Sequence, residues 1–224
     1  MIKKGLQISS FILILLLFAC EEKQRLPFLG NSDVEYTEKN GVVYADTIYP
    51  TIPPFTFTNQ EGKQVNNKTY RGKMWIVEFF FTTCPTICPI MNNQLKRLHK
   101  KLSPEINKEL QFLSFSIDPI HDQPKVLKKY QTKHHINYTN WDFLSGNEVE
   151  THRLGIQNFL TFAGKDAESA GGYAHSGSFT LVDAQGHVRG VYSVTNFDLS
   201  INEQEYDRMV NEINILYDEH LSSK

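Results

Sequence analysis

The chain has 224 residues, of which 40% are hydrophobic, and its formal net charge is −2. About 200 residues are enough to bury a hydrophobic core without help from disulfide bonds. A net charge so close to zero argues against nucleic-acid binding, because nucleic-acid-binding proteins present a basic face to the phosphates. The same charge excludes the strongly acidic composition of solvating or disordered proteins. The three cysteines are more informative, because each lies in a distinctive context.

The first 20 residues have the features of an export signal. Two lysines precede an unbroken apolar run at residues 11–18, which is far shorter than the ~20 residues needed to span a bilayer. The run ends in LFAC at residues 17–20, which resembles the lipobox of bacterial lipoproteins. On that resemblance Cys20 is acylated through its sulfur and holds the protein at a membrane. The alternative is an ordinary cleaved signal peptide with an incidental cysteine.

Three regions are predicted along the chain. Residues 1–20 form the lipoprotein signal peptide, residues 21–41 form a polar, flexible tether, and residues 42–224 form one folded domain. No repeat or low-complexity segment indicates a second domain. With a signal of this type, the predicted location is the cell envelope, and the folded domain lies outside the cytoplasm.

The folded part alternates between short apolar segments and longer amphipathic ones. The mostly apolar runs at residues 74–81 and 110–117 are typical of central strands buried on both faces. Between them, one apolar stripe predicts a helix over residues 84–102. Asp122 is predicted to cap the next helix, with Pro124 in its first turn. In chain order, the predicted strands are 42–44, 55–58, 74–81, 110–117, 141–144 (a strand or turn), 179–182 and 188–192. The predicted helices are 84–102, one after Asp122, 148–160 and 203–220.

This order of elements indicates an α/β fold. The strand–helix–strand start predicts parallel strands joined by a right-handed crossover, and the last two strands predict an antiparallel hairpin. The arrangement resembles the thioredoxin-like fold, in which helices flank a mixed central sheet. Here additional strands precede that core, as an N-terminal β extension.

Cys84 and Cys88 lie where the first long strand meets the first long helix. Backbone N–H groups without partners and the positive end of the helix dipole stabilise a thiolate at such a place. In a helix that starts at Cys84, this spacing puts both sulfurs on one face, with the Cβ atoms about 5–6 Å apart. A disulfide needs about 3.8 Å, whereas a soft metal accepts two such sulfurs with little distortion. A purely stabilising disulfide suits an exported protein, although so short a loop contributes little chain entropy.

His175 differs from the seven other histidines by its position. It lies in a glycine-rich loop that leads into the strand predicted at residues 179–182. In thioredoxin-like oxidoreductases a cis-proline enters that strand and packs against the active-site cysteines. This loop has no proline, and His175 is expected where the loop approaches the sulfurs. The other histidines lie in polar, turn-like or helix-end contexts and are predicted to be solvated or capping residues: His99, His121, His134, His135, His152, His187 and His220.

Four segments in order resemble the Sco/SenC family of copper-handling proteins. The resemblance covers most of the folded part, from about residue 55 to residue 217. The four segments are TTCPTICP (82–89), SIDPIHDQP (116–124), WDFLSG (141–146) and YAHSGSFTLVDAQGHVRGVY (173–192).

The resemblance implies copper ligands at Cys84, Cys88 and His175. The family's aspartate near the metal loop falls on Asp118, which is expected to support the metal site or to contact a partner. Thr86 stands where the family usually has an aspartate between the cysteines, so a negative charge beside the thiols is missing. Two thiolates and one imidazole suit three-coordinate Cu(I), or Cu(II) with a further ligand.

The family resemblance implies a copper metallochaperone that supplies copper or reducing equivalents to the binuclear copper centre of cytochrome c oxidase. The expected partner is the copper-receiving subunit of that oxidase or another cuproprotein. The main alternative is a metal-independent thiol–disulfide oxidoreductase that uses Cys84 and Cys88, for which His175 has no necessary role. A peroxiredoxin is set aside because Phe81 replaces the Thr or Ser expected three residues before the cysteine. A purely structural lipoprotein domain leaves the placement of these three residues unexplained.

Overall fold

The computed structural model describes residues 24–168, 172–196 and 198–222, and for Ala174 and His175 it describes only the backbone. The predicted signal peptide and Cys20 lie outside the described residues. Within the described ranges, no helix is long and apolar enough to cross a membrane.

The described residues form strands, α-helices and two short turns of other helix types. The strands are β1 (Asp33–Lys39), β2 (Val42–Ile48), β3 (Thr56–Asn59), β4 (Gln64–Asn66), β5 (Met74–Phe80), β6 (Leu110–Ser116), β7 (Trp141–Ser145), β8 (Ala163–Lys165), β9 (Tyr173–His175), β10 (Ser178–Val182) and β11 (Val188–Ser193). The α-helices are α1 (Ile87–Lys101), α2 (Pro104–Glu109), α3 (Pro124–Lys133), α4 (Glu148–Arg153) and α5 (Glu203–Ser222). A 3₁₀ turn covers Asn67–Tyr70, and a π-helical turn covers Leu154–Asn158.

A seven-stranded mixed sheet forms the centre of the molecule, in the order β11-β10-β5-β6-β7-β3-β4. Strands β5, β6 and β7 are parallel to one another, whereas β10 and β3 pair with them antiparallel. Every residue of β5 is buried, as expected for a central strand covered on both faces. The prediction of an α/β, thioredoxin-like architecture with a mixed sheet is confirmed.

The sheet has two ends with different neighbours. The carboxyl ends of β5 and β6 lead into the loops that carry Cys84 and Asp118. Because β10 runs antiparallel to β5, with Val182 opposite Trp75, the turn between β10 and β11 lies at the other end. The N-terminal segment is fixed at that other end, where Leu29 N–H donates to the carbonyl of Val188 over 2.9 Å.

Folded structure is present before the predicted domain boundary at residue 42. Leu26 is only 5% exposed, and its N–H donates to Glu219 Oε1. Strand β1, inside the segment predicted as a tether, pairs with β2 through the turn Asn40-Gly41, whose φ angles are 54° and 77°. Asn-Gly with two positive φ angles is the preferred two-residue hairpin turn, so the sequence contained this signal. The polar composition of the segment instead led to the prediction of a flexible tether.

The glycine-rich segment around His175 is also more regular than predicted. Its backbone forms β9, which pairs antiparallel with β8, and Ala163 stands opposite His175. The helix predicted over residues 148–160 is divided into α4 and the π-helical turn. His175 is therefore carried by a short two-stranded unit rather than by an irregular loop.

Candidate metal centre

Cys84 precedes α1 instead of beginning it. The helix starts at Ile87, and its N-cap residue Thr86 makes no side-chain capping bond. Pro85 explains the difference, because a residue before proline is disfavoured in the helical conformation. Cys84 Sγ instead accepts a hydrogen bond from Cys88 N–H over 3.5 Å, so the sulfur occupies the place of a capping oxygen. The predicted helix-terminal setting is present, but the two cysteines do not share one helix face.

Both cysteines carry thiols in this structure, and both are buried. Cys84 is 8% exposed and Cys88 is 0% exposed. Burial is the largest cause that raises the pKa of Cys88 well above its ordinary value, and the neighbouring Cys84 and Glu78 raise it further. A metal that binds this sulfur must displace its proton, because the thiolate is the ligand form.

The segment that carries His175 lies directly beside the cysteine loop. On one side of His175, the ring of Tyr173 packs on the ring of Phe81 with centroids 5.3 Å apart. On the other side, a Cβ added at Gly177 would lie 2.8 Å from Cδ1 of Ile87. Tyr173 and Gly177 bracket His175, and the residues that they approach, Phe81 and Ile87, lie on either side of Cys84 in sequence. The backbone positions therefore agree with a site built from both segments.

The described side chains of this arrangement offer two thiols to a soft metal, and an imidazole is the predicted third donor. Among the side chains that the structure describes, no group of three or more His, Cys, Asp or Glu could hold a metal ion. The imidazole of His175 lies outside that set, so its predicted role as a ligand stays a prediction.

Several other histidines have structural partners. His99 was predicted to be solvated, but it is half-buried, stacks on Tyr138 and lies 3.1 Å from Asn140 Oδ1. His152 lies 3.0 Å from the carbonyl of Ile117. The remaining contacts are His134 with the Tyr130 ring, His187 with the Pro50 carbonyl, and His220 with Glu109.

Asp122 has a role that its sequence position did not reveal. The N-cap of α3 is Gln123 rather than Asp122, and it makes no side-chain capping bond. Asp122 is fully buried and instead accepts hydrogen bonds from Thr82 N–H at 3.0 Å and Ser116 Oγ at 2.6 Å. The hydroxyl of Thr82 also donates to this carboxylate. Asp122 thus fastens the loop before Cys84 to the end of β6.

Asp118 lies on the same turn and faces the segment that carries His175. Its Oδ1 accepts a hydrogen bond from the Tyr173 hydroxyl over 3.3 Å. Its N–H donates to Ser116 Oγ, and its carbonyl accepts from Asp122 N–H. These contacts are compatible with the predicted supporting role of Asp118, which stays a prediction.

Glu78 is a buried carboxyl group that the sequence analysis did not single out. It lies in the middle of β5 and is 0% exposed. Ser114 Oγ donates to Oε1 over 2.6 Å, whereas the buried Oε2 has no hydrogen-bond partner among the residues that the structure describes. Burial raises the pKa of Glu78 to about 8, against the opposing effect of the Ser114 hydrogen bond. One acidic residue within an apolar strand was the only signal in the sequence.

We expect Glu78→Gln to remove a pH dependence of stability from the reduced, metal-free chain. The unfolded chain loses this proton near pH 4.5, and the folded chain keeps it to about pH 8. The folded state therefore binds more protons between these values, and the free energy of unfolding falls as the pH rises. The slope is on the order of 1 kcal/mol per pH unit. Urea unfolding from pH 5 to 8 should give a flatter profile for Glu78→Gln, whereas the exposed control Glu35→Gln should follow the parent chain.

The sequence matches the family described as SCO1/SenC over residues 46–210. A SCO1 protein homologue of Bacillus subtilis strain 168 is 34% identical over 169 residues, which cover 75% of this chain and 83% of that protein. The chain belongs to the SCO1/SenC family.

Solved structures of the SCO1/SenC family have the same fold. The SCO1/SenC family lipoprotein from Bacillus anthracis str. Ames is 32% identical and superposes with a TM-score of 0.64, covering 75% of this chain and 95% of the other. BsSco, described as a Sco family member with a disulfide switch, is 33% identical with a TM-score of 0.60, over 73% and 91% of the chains. Yeast Sco1 with copper bound is 25% identical with a TM-score of 0.57, over 74% and 90% of the chains.

Proposed function

We propose that this chain is a copper metallochaperone that binds copper through Cys84, Cys88 and His175. The observation that carries the proposal is the juxtaposition of two thiols at the start of α1 with the backbone of β9. Sulfur ligands select copper over harder ions, and an imidazole supplies a third donor. Copper is the cargo of the proposed site and must be released to another protein. A site with few ligands suits this transfer, and it lies beside the exposed residues Pro85 and Thr86.

The receiving protein is proposed from the relatives. BsSco is described as a member of the Sco family of cytochrome c oxidase assembly proteins, and yeast Sco1 has a structure with copper bound. By analogy, this chain supplies copper or reducing equivalents to the copper-receiving subunit of cytochrome c oxidase, or to another cuproprotein.

Copper titration of the reduced full chain in detergent tests this function. We expect saturation at about one copper per chain, measured by metal analysis after removal of loosely bound metal. A Cu(II)-loaded sample should show thiolate-to-copper charge-transfer absorption. A chain that retains no copper, although both thiols are reduced, contradicts the proposal.

A second candidate is a thiol–disulfide oxidoreductase of the cell envelope. The observation that favours it is the direct contact between the two cysteines, in which Cys88 N–H donates to Cys84 Sγ. Thiol–disulfide exchange requires only two sulfurs, an open path of attack and a suitable thiolate pKa. Both activities can use the same cysteine pair, so His175 is the residue that distinguishes them.

We also propose that Cys20 is acylated and anchors the domain to a membrane. The B. anthracis relative is described as a lipoprotein, and LFAC at residues 17–20 resembles a lipobox. Three residues separate Cys20 from Gln24, and the N-terminal segment is fixed at the end of the sheet opposite Cys84. Such an anchor would direct the cysteine pair away from the bilayer.

Replacing Cys20 with Ala should remove the acyl modification and either release the protein from membranes or block its maturation. Loss of one or more acyl chains removes ~0.8 kcal/mol of membrane affinity per buried methylene. Membrane fractionation and mass spectrometry of the N-terminal peptide would measure both effects. Cys84→Ala is the control and should keep its acylation. An N-terminal peptide without acyl chains in the parent protein would refute the anchor.

A further inference from the structure

We infer that Tyr173 is a positioning residue that holds the strand carrying His175 against the cysteine loop. The inference rests on the proposed copper site and adds a residue to it. The observation that carries it is the position of the Tyr173 hydroxyl. Tyr173 lies two residues before His175, and its hydroxyl links the β8–β9 unit to both Asp118 and Glu148.

The tyrosine hydroxyl bridges two carboxylates from different elements. Tyr173 Oη lies 3.3 Å from Asp118 Oδ1, after β6, and 3.2 Å from Glu148 Oε1, in the first turn of α4. The phenol has a single proton to donate, so at any moment it serves one of these two carboxylate oxygens. Lys165 Nζ lies 2.9 Å from Glu148 Oε1 and offsets one of the two negative charges.

From Asp118 the hydrogen bonds continue to the cysteine loop without a gap. Asp118 N–H donates to Ser116 Oγ, which in turn donates to Asp122. Asp122 accepts from both the N–H and the hydroxyl of Thr82, two residues before Cys84. One chain of polar contacts therefore connects Tyr173 to the segment that places Cys84.

The ring of Tyr173 adds an apolar contact to the same pair of segments. It packs on Phe81, whose carbonyl accepts from Cys84 N–H over 3.2 Å. The β8–β9 unit itself is short, since each strand has three residues, and isolated two-stranded units are marginally stable in water. Contacts outside the unit are therefore needed to fix the position of β9, and Tyr173 supplies both a polar and an apolar one.

Tyr173→Phe separates these contributions, because it keeps the ring and removes the hydroxyl. Tyr192→Phe is the matched control, since its hydroxyl also donates to a carboxylate, that of Glu212 over 2.7 Å, but between β11 and α5. Each variant is made in the full chain in detergent. Copper affinity, dithiol reduction potential, urea unfolding and amide hydrogen exchange are measured on each.

We expect Tyr173→Phe to weaken copper binding about tenfold, the effect of losing one hydrogen bond to a charged group. The dithiol reduction potential should stay unchanged. In the metal-free chain, amides at residues 172–176 should exchange faster, because β9 opens more readily. Tyr192→Phe should leave copper affinity and these amides unchanged.

Each other result has a definite meaning. If the parent chain binds copper and Tyr173→Phe binds it equally well, the positioning role is wrong and the proposed function stands. If Tyr192→Phe weakens copper binding as much as Tyr173→Phe, the effect is one of global stability and the inference fails. If the parent chain binds no copper, the proposed function fails, and the exchange of the β9 amides still decides whether Tyr173 fixes that strand.

Discussion

Cys84→Ala and Cys88→Ala should each abolish tight copper binding by the reduced chain. Each variant removes one of the two soft donors. The remaining thiolate and imidazole bind copper weakly, because this metal prefers sulfur ligands. We expect the affinity to fall by more than a hundredfold, which corresponds to about 3 kcal/mol. Metal analysis after gel filtration should give less than about a tenth of the copper that the parent chain retains.

Alanine is the appropriate substitution at the buried position. Cys88 is 0% exposed, so serine would bury a hydroxyl that needs a partner, whereas alanine leaves only a small void. Thr83→Ala is the matched control, because Thr83 is exposed in the same loop, directly before Cys84. Stoichiometric copper in either cysteine variant would contradict the site, provided that urea unfolding shows a folded chain.

The two variants differ in their expected effects on helix α1. Cys84 Sγ accepts from Cys88 N–H, so Cys84→Ala removes this acceptor from a helix N-terminus whose N-cap residue, Thr86, makes no side-chain capping bond. Loss of an N-terminal cap costs about 1 kcal/mol. The sulfur of Cys84 therefore serves both the proposed site and the helix, and the unfolding free energies should reflect this difference.

The sequence predicted the position of the cysteine pair better than its conformation. An apolar run followed by an amphipathic stripe located the junction of β5 and α1. The start of the helix was misplaced, because Pro85 is compatible with a first helical turn at Cys84 but also disfavours helical backbone at that residue. Only the folded structure shows which of these two effects of proline prevails.

Contacts distant in sequence could not be read from local patterns. By sequence alone Asp122 is a suitable helix cap, yet its carboxylate accepts a hydrogen bond from the N–H of Thr82, which is 40 residues away. Tyr173 likewise meets Asp118 across 55 residues. Such partners are set by the register of the sheet, in which β6 lies beside β5. The hairpin of β1 and β2 is a different case, since its Asn-Gly turn was visible in the sequence.

His175→Ala should weaken copper binding strongly while the thiol chemistry of Cys84 and Cys88 persists. Copper held by two thiolates alone lacks its third donor, and we expect its affinity to fall by roughly a hundredfold, about 3 kcal/mol. Disulfide formation needs only the two sulfurs and access to them. The reduction potential of the pair should therefore change by less than about 30 mV, the equivalent of a tenfold change in the equilibrium constant.

His121→Ala is the control for this experiment. His121 is exposed and lies three residues after Asp118, so it is a second histidine on a neighbouring loop at the same end of the sheet. Copper affinity and reduction potential are measured on the same preparations of both variants and of the parent chain. A general effect of removing an imidazole from this end would weaken copper binding in both variants.

The two proposed activities predict different results for His175→Ala. In a metallochaperone His175 completes the copper site. His175→Ala then lowers the copper affinity and leaves the reduction potential of the cysteine pair unchanged. In a metal-independent oxidoreductase His175 is an ordinary residue of a short strand, so copper affinity stays at the level of the parent chain. That second result would remove His175 from the site and favour the oxidoreductase. The packing of Tyr173 on Phe81 and the close approach of the Gly177 backbone to Ile87 lead us to expect the first.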